Sequence, residues 1–170
     1  MEFMEVVRNR RSVKKFRAEA VAEEDLKDIL EAARLAPSAA NIQPWKFIVV
    51  KNDKKKRLIG QACSSQEFVG EAPVVIVACA TSRGVMIGKY MESWPIDVAI
   101  AFTHLILAAW NKGLGTCWIG DFNEDRIKEL CEIPPEVRVV AITPLGYPVK
   151  VPQATPRRPL DKIVSEEVFS

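Results

Sequence analysis

Apolar side chains recur along the chain first with the period of a helix and then with that of a strand. Phe3, Met4, Val6 and Val7 predict a short helix over residues 2–10 that stops in a basic run. A second helix begins at Glu23: Leu26, Ile29, Leu30 and Ala33 repeat at i, i+3, i+4 and i+7, Glu23, Glu24 and Asp25 favour its positive end, and Pro37 closes it. Residues 46–50 and 72–80 are β-branched runs, the second apolar on both faces as a central strand would be. An apolar stretch over about 96–110, opened by Pro95 and ended by Gly113 and Gly115, predicts a buried helix. Residues 116–120 then predict a strand, Asn123 caps a short helix stopped by Pro134 and Pro135, and residues 137–145 predict the last strand. After the turn at Gly146-Tyr147-Pro148, four prolines (148, 152, 156 and 159) exclude helix and central strand, so the tail should run extended over a surface. Alternating strands and helices put the fold in the α+β (α/β) class, one domain over residues 1–170, with the strand order left open.

Charge and composition narrow the function classes. The 24 basic and 22 acidic residues nearly cancel, so no global field favours nucleic acid or a membrane surface. The apolar stretch carries Asp97, Thr103 and His104 and is too short to cross a bilayer. Cys63, Cys79, Cys117 and Cys131 form neither a C-x-x-C pair nor a metal spacing, and the N-terminus lacks a secretion signal, so reduced thiols in the cytoplasm are expected. The only histidine lies inside the apolar helix and no G-x-S-x-G occurs, which leaves a hydrolytic triad without base or nucleophile elbow. Chemistry is therefore expected to reside in a cofactor.

Residues 8–17, R-N-R-R-S-V-K-K-F-R, hold six bases and no acid. If the run is extended, Arg10, Ser12 and Lys14 share one side and offer a guanidinium, a hydroxyl and an ammonium to one phosphate. The alternative for this run taken alone is a nucleic-acid arm or a solvated face. A second basic run, residues 51–57, reads as a solvated turn and helix start. Residues 36–45, A-P-S-A-A-N-I-Q-P-W, combine small residues with Ser38, Asn41 and Gln43, a composition that suits a flat heterocycle or simply a helix-ending loop. Residues 113–120, G-L-G-T-C-W-I-G, are not a dinucleotide fingerprint, because the third glycine would fall on Trp118 and the order runs helix to strand. Arg157 and Arg158 in the tail can reach back to a phosphate or stay solvated.

In series, R-R-S-V-K-K-F, A-P-S-A-A-N-I-Q-P-W, G-L-G-T-C-W-I-G and L-G-Y-P followed by R-R-P-L closely resemble the nitroreductase family over nearly the whole chain. The resemblance implies a homodimer with a central mixed sheet flanked by helices, FMN at the subunit interface and a C-terminal arm wrapping the partner. It assigns Arg10, Arg11, Ser12 and Lys14, with Arg157 or Arg158, to the FMN phosphate and ribityl chain. Pro37, Ser38 and Asn41 match the loop that meets the flavin from the partner. Cys117, Ile119 and Gly120 match the strand along the ring, the amides of Ile119 and Gly120 bonding O4 and N5. Lys14 stands where many relatives have arginine, a weaker bidentate partner for phosphate.

The activity so implied is hydride transfer from NADH or NADPH through FMN to nitroaromatics, quinones or similar small acceptors, with ping-pong kinetics and no catalytic side chain. The segment that often builds a substrate lid is only residues 81–94, with Lys89, Tyr90 and Trp94 as candidates to line an open pocket, or else a mobile surface loop. The competing readings are a flavin-binding or storage module without turnover and a dehalogenase-like reductive enzyme of the same fold.

Overall fold

A computed structural model of the protein describes residues 1–64 and 66–169. The elements are α1 (Phe3–Asn9), α2 (Glu23–Arg34), β1 (Trp45–Val50), α3 (Asp53–Ala62), α4 (Phe68–Glu71), β2 (Val74–Ala80), β3 (Met86–Ile87), β4 (Met91–Glu92), α5 (Trp94–Asn111), β5 (Gly115–Thr116), α6 (Glu124–Cys131) and β6 (Arg138–Gly146). Four strands form one sheet in the order β1-β2-β6-β5, every pair antiparallel. The mixed character expected of the sheet is confined to an isolated parallel bridge between Ser12 and Thr116.

The sequence of β2 explains the layering. All seven of its residues are buried, and their alternation divides two cores. Val74, Ile76, Ala78 and Ala80 pack with Leu26, Ile29 and Ala33 of α2 and with Phe102 and Leu105 of α5. Val75, Val77 and Cys79 face the other way, onto Ile59 of α3 and Ile127 of α6. A strand so enclosed has no polar face to offer water, which is why it reads as a continuous apolar run.

Three expectations are corrected. The strand expected over residues 116–120 is broken, because Cys117 lies opposite Pro144 of β6, which has no N–H to complete the ladder. The buried Thr143 hydroxyl takes the place of a main-chain partner, accepting from Cys117 N at 3.1 Å and donating to Pro144 O at 2.8 Å. Pairing resumes where Ile119 and Ile142 exchange both backbone bonds, at 2.8 and 3.1 Å. The basic run 51–57 is not wholly solvated: Lys56 is buried, and its Nζ donates to the carbonyls of Ala72 and Pro73 at 2.8 and 2.9 Å beside Asp53. Residues 81–94 form a compact hairpin, not a loose loop. Gly88 and Lys89 turn it with φ of 57° and 63°, and Ser93, fully buried, accepts from Val85 N through its hydroxyl.

The tail departs in a different way. Residues 149–169 are exposed throughout and contain only a 3-10 turn at Leu160–Lys162.

Glu124, at the start of α6, clamps that helix onto β6. It accepts Arg138 Nε and Nη2 at 2.9 and 3.0 Å and Val139 N at 2.9 Å. Burial pushes its carboxyl up, but the bonds from Arg138 and Val139 outweigh that and leave it below the ordinary glutamate range. A carboxyl lowered in the folded state stabilises at pH above the unfolded value, and this stability is lost as pH falls through the folded value. Glu124→Gln is therefore expected to reduce stability at neutral pH and to flatten the acid limb of a urea-midpoint profile taken from about pH 7 to about pH 3. Lys56→Met, which leaves two buried carbonyls without donors, should cost about 1–3 kcal/mol in the same titration at neutral pH.

Candidate functional site

The basic run is placed by a close approach of two backbones. α1 ends at Asn9, and Arg11 Nη1 donates to the carbonyls of Arg8 and Arg10 at 2.7 and 2.9 Å, closing the helix. The chain then lies along β5, Val13 N donating to Thr116 O at 2.8 Å. A side chain at position 115 would put its Cβ 2.6 Å from Val13 Cγ2, so glycine there is a condition of the pairing. Val13 is fully buried while Ser12 and Lys14 are exposed, the alternation of an extended segment.

Cations accumulate beside this segment without countercharge. Arg10 is held below the usual arginine range by burial, then by the charges of Arg157 and Arg11. Among the described residues no carboxylate pairs with Arg10, Arg11, Lys14, Arg157 or Arg158. Burial pushes the Cys117 thiol up, opposed by Lys14, by a hydrogen bond from Ser12 and by Arg10, so these three groups surround Cys117. Lys14 Nζ also sits 5.5 Å from the Phe68 ring centroid. Mutually repelling cations beside a serine hydroxyl, with no acid paired to them, are a donor set that suits a multiply charged anion.

Two cavities meet at Arg10 and Ser12. One, of about 540 Å³, lies between the end of α1 and tail residues 152–155 with Arg157. The other, of about 270 Å³, is bounded by Thr103, Ile106 and Leu107 of α5, Thr116 and Trp118. Trp118 stands edge-on to Phe102 at 4.8 Å. Arg157 borders the larger cavity, whereas Arg158 donates to Lys162 O at 3.0 Å within the tail. A further concavity, of about 790 Å³, lies elsewhere: an apolar groove between α1, α2 and α5 lined by no cation among the described residues.

The strand end differs from expectation in one respect. The Ile119 N–H already donates to Ile142 O at 2.8 Å, so it is not available to a flavin. The exposed Gly120 N–H makes no bond among the described residues and is the donor that remains of that pair.

Pro37, Ser38 and Asn41 border neither cavity at Arg10; they lie on a separate loop. There Ala40, Asn41 and Gln43 have φ of 50°, 54° and 54°, left-handed values that cost non-glycine residues about 1–2 kcal/mol each. Gln43 N donates to Ser38 Oγ at 2.9 Å, and Gln43 Nε2 lies 3.2 Å from both Asn41 O and Oδ1. Ala39 N donates to Asp97 Oδ1 at 2.8 Å.

Of the lid candidates, Tyr90 is 78% exposed at the hairpin tip beside Lys89. Trp94 packs against the core, its indole N–H on Glu92 at 3.0 Å and Arg138 over its ring. Sequence reasoning passed over Thr143, Phe68 and Asp97. Only Asp97 carried a signal, as an acid inside an otherwise apolar helix.

The described residues contain no helix long and apolar enough to cross a membrane. The family model for the nitroreductase family matches residues 7–147. A putative NADH dehydrogenase/NAD(P)H nitroreductase of Methanothermobacter thermautotrophicus is 37% identical over 156 residues, 89% of this chain and 80% of that protein. An NAD(P)H-dependent FMN reductase of Bacillus subtilis is 28% identical over 99% of this chain and 74% of its own length. The crystal structure of a nitroreductase family protein from Clostridium novyi NT superposes with a TM-score of 0.82 at 45% identity, over 87% of this chain and 86% of that one. With the basic cluster at Arg10, the loop at Asn41 and the strand end at Gly120 all inside the matched span, the chain belongs to the nitroreductase family.

Proposed function

We propose that this chain is an NAD(P)H-dependent FMN oxidoreductase that works as a homodimer. The observation that carries the reading is the uncompensated cluster of Arg10, Ser12, Lys14 and Arg157, the first three of which act on Cys117. Arg10, Ser12 and Lys14 hold the phosphate, Arg157 completes its charge, and Arg11 and Arg158 support the backbone on either side. The strand from Cys117 to Gly120 would run along the ring, with the Gly120 N–H the donor left for its polar edge. When bound, FMN supplies the two-electron chemistry, accepting hydride from NADH or NADPH and delivering it to the acceptor. Donor and acceptor occupy the same open face in turn, giving ping-pong kinetics.

Dimerisation follows from surfaces that one chain leaves uncovered. The 790 Å³ groove is lined by Phe3, Leu35, Ile96, Ile100 and Leu107, and Phe3 and Leu35 are 67% and 63% exposed. The tail exposes Leu160, Ile163, Val164 and Phe169 as well. Apolar surface of this extent is covered by a second copy, whose arm wraps the first. In that dimer Pro37, Ser38 and Asn41 approach the cofactor held by the other chain, and the hairpin carrying Lys89 and Tyr90 presents an aromatic ring and a cation to small acceptors such as quinones and nitroaromatics, with Trp94 bracing its base. Four free cysteines suit a reducing compartment such as the cytoplasm.

The test is spectroscopic. The purified protein, loaded with FMN, should bleach anaerobically on addition of NADH or NADPH and recolour when a quinone or nitroaromatic is added. A protein that cannot be loaded with FMN contradicts the phosphate assignment; one that loads but does not bleach is a binding module. Arg10→Ala removes a charge-assisted contact and should weaken FMN binding about tenfold to a hundredfold.

A further inference from the structure

Asp97 is only 1% exposed, on the first turn of α5. Its Oδ1 accepts the Ala39 N–H at 2.8 Å, across 58 residues of sequence. Its Oδ2 is equally buried and has no hydrogen-bond partner among the described residues. A buried carboxylate with one oxygen unsatisfied is costly and is poorly explained as a device for core stability, where an apolar side chain would serve better. The positive end of α5 offsets part of that cost.

What the bond joins to α5 is a loop of strained backbone. Three left-handed non-glycine residues within four positions persist only where their surroundings over-determine them. Internally the loop has the turn bonds from Asn41 N to Ser38 O and from Ile42 N to Ala39 O, the bond from Gln43 N to Ser38 Oγ and the contacts of Gln43 Nε2 with Asn41, and its far end is tied by Thr81 N to Pro44 O. The Asp97 bond joins this loop to α5, which also lines the apolar groove through Ile96, Ile100 and His104. We infer that Asp97 is a positioning residue: it fixes the 37–43 loop to α5, so that the pose of Asn41 toward the cofactor is set by the helix at the subunit seam. This rests on the functional reading above, and it assigns Asp97 no contact with substrate or cofactor.

The test compares Asp97→Leu, which has similar bulk and no acceptor, with Asp97→Asn, which keeps one. Each variant is loaded with FMN, and three quantities are read: FMN affinity, visible circular dichroism of the bound flavin, and the thermal midpoint of the protein before loading. Asp97→Leu is expected to weaken FMN about tenfold to a hundredfold and to alter the flavin dichroism. Asp97→Asn should restore both to within about threefold of the parent. Ala39→Pro approaches the same bond from the loop side. It removes the N–H at the first residue of a 3-10 turn, where proline's fixed φ is tolerated, and its ring displaces the Asp97 carboxyl from the loop. It should reproduce the dichroic change, and the double variant with Asp97→Leu should be no worse than the single ones.

If Asp97→Leu binds FMN with parental affinity and dichroism, or lowers the thermal midpoint while leaving both unchanged, the inference is overturned. Should Asp97→Leu fail to fold, Ala39→Pro decides alone, and unaltered dichroism there overturns the inference. A parent protein that does not bind FMN removes the functional reading itself, an outcome distinct from both.

Discussion

The site depends on two backbones lying closer than any side chain at position 115 would permit. Because Gly115 has no Cβ, Val13 packs directly against β5, and the Val13 to Thr116 bond fixes the phase of the extended segment. Burying Val13 forces Ser12 and Lys14 outward together, and Arg10 follows from the end of α1. Arg10 is held below the usual arginine range first by burial and then by the charges of Arg157 and Arg11, with no acid paired to it, an environment that favours an anion beside it.

A second constraint shapes the other edge. Pro144 interrupts the β5–β6 ladder opposite Cys117, and Thr143 repairs the gap with its hydroxyl. The chain can therefore leave regular pairing at Cys117, return for one bridge at Ile119 and then release Gly120. Helix α5 ties the parts together. One side builds the core with Phe102 and Leu105, another lines the open groove, and its first turn holds the loop through Asp97.

Much of this was legible in the sequence because local rules and tertiary demands agree. The helical repeat of Leu26, Ile29 and Ala33 fixed α2, and the unbroken run at residues 74–80 identified the central strand. Ser12 and Lys14 face outward because Val13 between them is a core residue. What escaped was non-local. Nothing in the run 51–57 marks Lys56 as the one base whose ammonium turns inward, since the carbonyls it meets belong to Ala72 and Pro73. The break at Cys117 is caused by a proline 27 positions away on β6. The amide of Ile119 was assigned to a ligand when the sheet had already claimed it. The separation of the loop at Asn41 from the basic cluster is likewise a property of the assembled fold, and it points to sites built from two chains.

Subunit mixing distinguishes sites built from two chains from sites built within one. Arg10→Ala impairs the phosphate half, and Asn41→Trp fills the space before the loop; each alone should lack tight FMN sites. In a mixed dimer one site carries both defects and the other neither, so co-refolding equal amounts should recover about a quarter of the tight sites. Recovery in an FMN fluorescence-quenching titration is the result this account predicts. No recovery after mixing, with dimers demonstrably exchanged, would mean that each site is built within a single chain and would contradict it.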